Sequence, residues 1–547
     1  HGRCFDAIYP FLYLADIDQD TRYLDAAKHL FEWAEYTVSR EDGSYVNDIG
    51  SEWKGTTVFS VIQLIEALTY HGKLLDQVTY NRWKNRVEKA AEFLCGFQEF
   101  EVCNINYRLT NGLAMHLCGE FLGVEKYTER GSELMKSSID YISESGILCG
   151  EGRPISGISK RGCRPVDIGY NMEESLPSMI QYAYRSGNEE IKKVAIKALN
   201  RHLIFMLGDG GMDNSFGTRN YKWTYWGSRT SDGCALGYLL AADQEPIFGI
   251  AAYKNLKLLE KCTHDGFLYG GPHLYEIGEL PCVHHAFSHA KVLAGILDQG
   301  IEDRLCDGML PRQQMTEVNY LPEIDTYLIP GKGYTATVTG YDWEYTNLKG
   351  GHASGGMMSM LWHEKAGLIL CAGMSRYTMK EPSNMQLPKW KHHECLTPRT
   401  EYKDGENRYS SMYDDHCHLS FEQKDGIPVI LAEGIESDME QRADQNGCGK
   451  YQMEYRFEAK RILFSIQTDN RSSFILPIIS RHSECVSVTD LGIKIQKEEI
   501  DLCLEITVGI MILPYKTERI YNLVPGVEAV KVVIKPVNGK IAFCLSF

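Results

Sequence analysis

Residues 171–206, NMEESLPSMIQYAYRSGNEEIKKVAIKALNRHLIFM, decide the fold. Two runs, 171–186 and 188–206, carry apolar residues at three- and four-residue spacing around the short polar turn GNEE at 187–190. That pattern predicts two amphipathic helices joined as an antiparallel hairpin. The same unit recurs on both sides. Upstream, FDAIYPFLYLADI and DTRYLDAAKHLFEWAEYTV have the same spacing, and helical segments follow near 54–71, 78–99, 104–122 and 125–144. Downstream come segments near 231–242, 245–262 and 279–298, with DQEP at 243–246 as another short connection. Roughly eleven or twelve helices in hairpins predict an (α/α) toroid or a helical solenoid. No repeat is strict enough to name a repeat family.

Beyond about residue 333 the period changes. GYTATVTGYDWEY alternates, GMMSMLWHEKAGLILCAG reads as two strands around a turn, and PVILAEGIE, YQMEYRFEAKRILFSIQTD, SSFILPIIS, CLEITVGIMIL and VEAVKVVIKPV follow. Many short strands separated by turns predict a large antiparallel β-sandwich. The expected class is therefore multidomain, α then β: a toroid over 1–305, a linker over 306–332 and a sandwich over 333–547. The linker reading rests on three prolines, mixed charge and the lack of a period.

A chain of 547 residues is too long for one ordinary core, and 44% hydrophobic with 24% charged residues describes a soluble globular protein. The net charge of −16 argues against nucleic acid or an anionic membrane as the main partner. No run of about 18 apolar residues is present, so no membrane span is expected. The 17 cysteines run from Cys4 to Cys544 without a CxxC pair. Most are expected to be buried thiols, a few disulfides stay open, and the count does not settle the compartment. The first residues, HGRCFDAIYP, are neither a start methionine nor a signal peptide, so the expectation is a precursor that begins earlier and a periplasmic or extracellular protein.

Two long loops interrupt the helices, and long loops on a rigid scaffold are where a site is expected. One is 209–233, DGGMDNSFGTRNYKWTYWGSRTSDG, which holds two arginines and the rings of Tyr221, Trp223, Tyr225 and Trp226. Aromatic faces with polar rims suit a sugar cleft; the competing reading is a loop folded over its own rings. The other is 146–169, whose Arg153, Lys160, Arg161 and Arg164 run into Asp167-Ile168-Gly169-Tyr170-Asn171 at a helix start. Cations beside a helix N-terminus favour a carboxylate, against the plainer reading of a solvated basic loop. Asn171 itself could equally be an N-cap. Asn171 and Tyr225 lie 54 positions apart, one hairpin plus its return loop, a separation that brings equivalent ends of neighbouring inner helices together.

A third cluster is the glycine-rich turn 347–356, which presents His352. His285 and His289 share a helix face, with His284 beside them, and His416 and His418 share a strand face. Both groups are metal-compatible, but neither has an assignable third ligand, and structural roles compete.

The chemistry that fits is β-elimination on a uronic acid. The enzyme neutralises the carboxylate, removes the C5 proton and protonates the oxygen leaving C4. An Asn, Arg or His stabilises the developing charge, and a tyrosine near a cation acts as base. Such a step requires no metal or organic cofactor.

With these motifs the chain resembles the heparinase-like and chondroitinase-like polysaccharide lyases, in which an α/α toroid precedes antiparallel β-sheets. The resemblance is carried by Tyr170-Asn171, WTYWGSRTSDG at 223–233 and GGHASGG at 350–356. It implies Asn171 as the neutraliser, Tyr225 as the catalytic tyrosine, His352 as the β-domain contributor, and Arg229 and Arg164 as helpers with charge. Tyr170, Tyr221, Trp223, Trp226 and His285 would line an acidic oligosaccharide or polysaccharide. Within that group the layout is similar to the gut-bacterial lyases that remove terminal rhamnose linked to glucuronate. The sequence departs from the heparinase pattern in lacking a clear His-x-x-Glu beside Asn171 and obvious β-domain zinc ligands, which puts a heparin substrate in doubt while leaving room for a structural divalent metal. Two other classes compete. A glycoside hydrolase would draw on Glu173, Glu174, Asp209, Asp213 and Asp232, and a glycan-binding protein would keep the rings without turnover.

Overall fold

The computed structural model describes residues 2–98, 103–152, 155–343, 353–375, 394–444, 448–513 and 518–547. The helical half contains α1 (Ile8–Asp18), α2 (Thr21–Thr37), α3 (Thr57–His71), α4 (Gln77–Gly96), α5 (Ile105–Leu122) and α6 (Glu125–Ser138). It continues with α7 (Ile168–Tyr170), α8 (Leu176–Ser186), α9 (Glu189–His202), α10 (Ala235–Ala241), α11 (Ile247–Lys261) and α12 (Val283–Gln299). The hairpin turns follow from local chemistry. Gly187 takes the left-handed conformation after α8, and the Asn188 side chain accepts the Ile191 N–H at 3.0 Å to start α9.

Which helices form the inner ring follows from how apolar they are all round. In α3 and α5 nearly every residue is buried, whereas α2, α4 and α6 bury one face. The inner helices α1, α3, α5, α8, α10 and α12 each pack on the next, and α12 packs back on α1. That closure makes the ring a toroid rather than an open solenoid. Polar contacts lock the seam: Tyr9 donates to Asp298 at 2.7 Å, and the Lys291 ammonium meets Asp6 at 2.7 Å and Asp232 at 2.9 Å.

The second half is all antiparallel. Asn319–Leu321, Thr326–Pro330, Tyr334–Thr339, Met357–His363 and Gly367–Cys371 make a five-stranded sheet in chain order. A six-stranded sheet centres on Ser473–Ile479 and Val527–Lys535, and an eight-stranded sheet runs from His418–Lys424 to Val486–Val488. Strands such as Lys450–Glu458 alternate buried and partly exposed residues, so one face enters a shared core: Leu361, Met453, Phe464, Leu476 and Val532 from the three sheets belong to one cluster.

Two boundaries differ from the sequence reading. Residues 306–332 are not a bare linker, since 319–321 and 326–330 are the first two strands of the five-stranded sheet. Three- and five-residue strands beside prolines leave too little sequence for a period to show. The helix expected from Ser231 begins at Ala235, because Ser231 is bonded to Glu173 and Gly233 sits at φ 94°. The two halves share a third core cluster, in which Tyr225, Trp226 and Leu207 of the toroid meet Met360, Trp362 and Val524 of the sheets.

Candidate active site

Three tyrosines come from the same end of three successive hairpins. Tyr107 lies in the first turn of α5, Tyr170 ends α7, and Tyr221 lies in the short helical turn Asn220–Lys222. Arg219 stands among them. Its guanidinium lies 3.6 Å from the centre of the Tyr170 ring and pairs with Glu151 at 3.0 Å. Burial acts to discharge it, but Tyr170, Tyr221, Glu151 and Tyr107, in that order, more than offset this and hold it charged. The Tyr170 hydroxyl is bonded to Thr230.

Tyr107 is only half-buried, and its hydroxyl accepts the Trp53 indole N–H at 3.0 Å. Burial pushes its phenol up to about 12, while Arg219 and then Lys222 pull it down. Lys222 is itself buried and sits 5.7 Å from the Tyr221 ring. His284, at the start of α12, is kept well below the usual histidine range by burial and then by Arg3, His285, Lys291 and Lys222, so it is neutral. The result is a pair of cations, a ring of phenols and a neutral imidazole, gathered in a protein of net charge −16.

A layer of carboxylates lies beneath. Glu151 is fully buried; it accepts the Asn106 N–H at 2.9 Å and so caps α5 while it holds Arg219. Burial, opposed by Arg219, lifts its carboxyl to about 7. Glu174 accepts from the Asn106 amide, and burial and the Asp232 charge push it up to about 8. Glu173 accepts the Ser228 N–H at 2.7 Å, and a Cβ at Gly227 would overlap its carboxylate, which explains glycine there.

The residues expected from sequence divide between this cluster and the core. Tyr170 and Tyr221 reach the cluster. Asn171 does not face it: inside a π turn over Asn171–Ser175, it is wholly buried and its amide donates to the Leu148 carbonyl at 2.7 Å and to His202 at 3.1 Å. The N-cap is Asp167, whose carboxylate accepts the Tyr170 N–H at 3.1 Å. Tyr225 is buried in the core between the halves and donates to Asp209 at 2.8 Å; burial and then Asp209 hold its phenol well above the usual range.

Trp223 and Trp226 are fully buried, their indoles donating to the Met212 and Tyr269 carbonyls at 2.9 and 2.8 Å. Arg229 donates to the Leu523 carbonyl across the domain junction. His285 lies buried edge-on to Trp226 at 5.3 Å. Arg164 opens on a neighbouring cavity, and His352 lies outside the described residues. Arg219, Lys222, Tyr107 and Glu151 were not singled out. The available signal was the Asn-Tyr pair, at 106–107 by one helix start and again at 220–221 within Arg-Asn-Tyr-Lys.

Two groups of potential metal ligands lie among the described residues, and members of both have partners within the protein. Asp414 of the Asp414–Asp415–His416 group accepts from the His416 and Ile435 N–H groups and from Tyr451, and Asp415 pairs with Lys160 at 3.0 Å. In the Glu276–His482–Glu528 group, Glu276 already pairs with Arg481 at 2.9 Å.

Comparison with known proteins gives this cluster its context. The profile of the ulvan lyase N-terminal domain matches residues 1–313, and that of the C-terminal domain matches 318–546. The chain belongs to the ulvan lyase family. A broad-specificity ulvan lyase from Formosa agariphila is 37% identical over 545 residues, covering 97% of this chain and 85% of the relative. The family's fold is shared with more distant solved lyases. A xanthan lyase from Paenibacillus has a TM-score of 0.59 at 10% identity, covering all of this chain and 53% of that one. A chondroitin AC lyase from Streptomyces coelicolor has 0.54 at 10%, covering 99% and 74%. A heparan sulfate lyase variant from Pedobacter heparinus has 0.52 at 9%, covering 98% and 74%. Membership makes this ulvan lyase relative a carbon–oxygen lyase acting on polysaccharides. The carboxylates of the hydrolase reading, Asp209, Asp213, Glu173, Glu174 and Asp232, are buried and each has a partner within the protein.

Proposed function

We propose that this lyase cleaves an acidic polysaccharide, ulvan or a glycan like it, at the Arg219–Tyr107–Tyr221 cluster, by β-elimination next to a uronate. The observation that carries the reading is a buried guanidinium held charged among three phenols, one of which accepts the Trp53 N–H. Arg219 and Lys222 neutralise the substrate carboxylate and so acidify the proton on C5. The Tyr107 phenolate, stabilised by both cations and the indole N–H, removes that proton. The C5–H electrons form the C4–C5 double bond, the C4–O bond breaks, and the leaving oxygen takes a proton from Tyr107 or Tyr221. Glu151 positions Arg219. The step as written calls on no metal or organic cofactor.

The finer reading is a glucuronate at the reacting position, with terminal rhamnose on the leaving side, in a protein working in the periplasm or outside the cell. No helix among the described residues is long and apolar enough to cross a membrane. Ultraviolet absorbance of the unsaturated uronate, followed on ulvan, gum arabic, heparan sulfate, chondroitin and glucuronan in parallel, tests it. The expected result is a rise on glucuronate-bearing glycans, with free rhamnose from gum arabic. A rise on ulvan without rhamnose release would remove the finer reading. Sugar release without absorbance would remove elimination itself.

A further inference from the structure

The basic loop 146–169 is split by the fold. Lys160 pairs with Asp415, and Arg161 with Asp325, so both tie the loop to the β domain. Arg164 behaves differently. Its backbone is pinned on both sides, the N–H donating to the Glu323 carbonyl at 2.8 Å and the carbonyl accepting from Tyr341 at 2.6 Å. Its exposed guanidinium has no hydrogen bond or ion pair among the described residues. A fixed backbone under an unengaged guanidinium is a presented charge.

That charge faces a cavity of ≈ 420 Å³ lined by Arg108, Asp140, Tyr141, Ser156 and Ile158 as well as Arg164. The volume lies in the range of small-ligand sites. Arg108 is buried, with its guanidinium 5.6 Å from the centre of the half-buried Tyr141 ring. Among those residues two arginines face one aspartate, a local excess of positive charge in an acidic protein. The cavity adjoins the elimination cluster. Arg108 follows Tyr107 in α5, and the Pro165 carbonyl in the cavity wall accepts the Gly150 and Glu151 N–H groups at 2.8 and 3.1 Å.

We propose that this cavity is a subsite for an anionic sugar residue of the polysaccharide, adjacent to the one that reacts. Arg164 pairs with the carboxylate or sulfate ester of that residue, the Tyr141 face takes an apolar face of the ring, and the Ser156 hydroxyl meets a sugar hydroxyl. The site rests on the lyase reading for its substrate, but its binding is measurable without turnover.

The test is affinity electrophoresis of the full chain in gels containing ulvan, for wild type, Arg164→Ala and Arg164→Lys, beside kinetics on polymeric ulvan and on the shortest ulvan oligosaccharide cleaved. The Arg164 side chain is exposed, so the variants should fold. Arg164→Ala should lose much of the retardation and raise KM on the polymer roughly ten- to a hundredfold, the scale of one charge-assisted hydrogen bond, with kcat on the short oligosaccharide unchanged. Arg164→Lys should keep part of the retardation as a point charge. On carboxyl-reduced ulvan, loss of the Arg164 effect identifies a carboxylate and persistence identifies a sulfate ester. Unchanged retardation by Arg164→Ala overturns the subsite, as does an equal loss of kcat on polymer and oligosaccharide. Absence of ultraviolet product in wild type would instead count against the lyase reading, with the retardation still reporting on the cavity.

Discussion

Arg219 has to stay charged while buried, and Glu151 is its carboxylate partner beside the phenols of Tyr170 and Tyr221. Because the Glu151 carboxyl titrates near pH 7, protonation weakens that anchor as pH falls through neutrality. The expected outcome is an acid limb in kcat/KM near that pH, which Glu151→Gln flattens while lowering the plateau; a limb of unchanged shape in the variant would remove Glu151 from this role. Tyr107, the proposed base, works in the other direction. With the Tyr107 phenol near 12, only a small fraction is ionised at neutral pH, so kcat/KM should still be climbing at about pH 9 in a pH–rate profile. At this scale the sequence was half legible. It singled out Tyr170 and Tyr221, which lie beside the candidate cluster. The rings of Trp223, Tyr225 and Trp226 look the same on paper, yet they are covered by Met360, Trp362 and Val524, far along the chain. Nothing local separates a sugar platform from a domain junction, because the covering surface decides.

The hairpins were legible because burial of one helix face imposes a 3.6-residue period over many residues. What the period cannot show is a local change of helix type. The helix leading into α8 widens to a π turn at Asn171–Ser175, which turns the Asn171 amide toward Leu148 and His202. The Asn171→Ala change should therefore act on stability. It leaves the buried Leu148 carbonyl and His202 without that donor, a cost of about 1–3 kcal/mol, read as a lower denaturation midpoint with kcat within a few-fold of wild type. A loss of kcat with unchanged stability would instead support the carboxylate-neutralising role first expected for Asn171. The short strands at 319–321 and 326–330, which pair with each other and then with the next strand, were missed for the complementary reason: three and five residues are too few to carry a repeat.

The whole molecule depends on a ring that closes where α12 returns to α1. His71 bridges that seam, with Nδ1 2.9 Å from Asp16 and Nε2 2.9 Å from Asp298. Two carboxylate partners require both ring nitrogens to donate, hence an imidazolium. Burial opposes that charge, but Asp298 and then Asp16 outweigh it and raise its pKa above the ordinary value of 6.5. A raised histidine contributes its full stabilisation below the unfolded pKa and loses it as pH rises through the folded one. Thermal unfolding should therefore show Tm falling from slightly acid to alkaline pH, and His71→Gln should remove that component; an unchanged slope in the variant would place the dependence elsewhere. On the proposed reading, elimination occurs at the Arg219 cluster and not at the buried Tyr225. Its most direct test is the ultraviolet progress curve on ulvan for Tyr107→Phe and Tyr225→Phe, each confirmed folded. Tyr107→Phe is expected to lose roughly a hundredfold or more in kcat, the scale of a lost general base, while folded Tyr225→Phe keeps most of its turnover. The reverse order would contradict it.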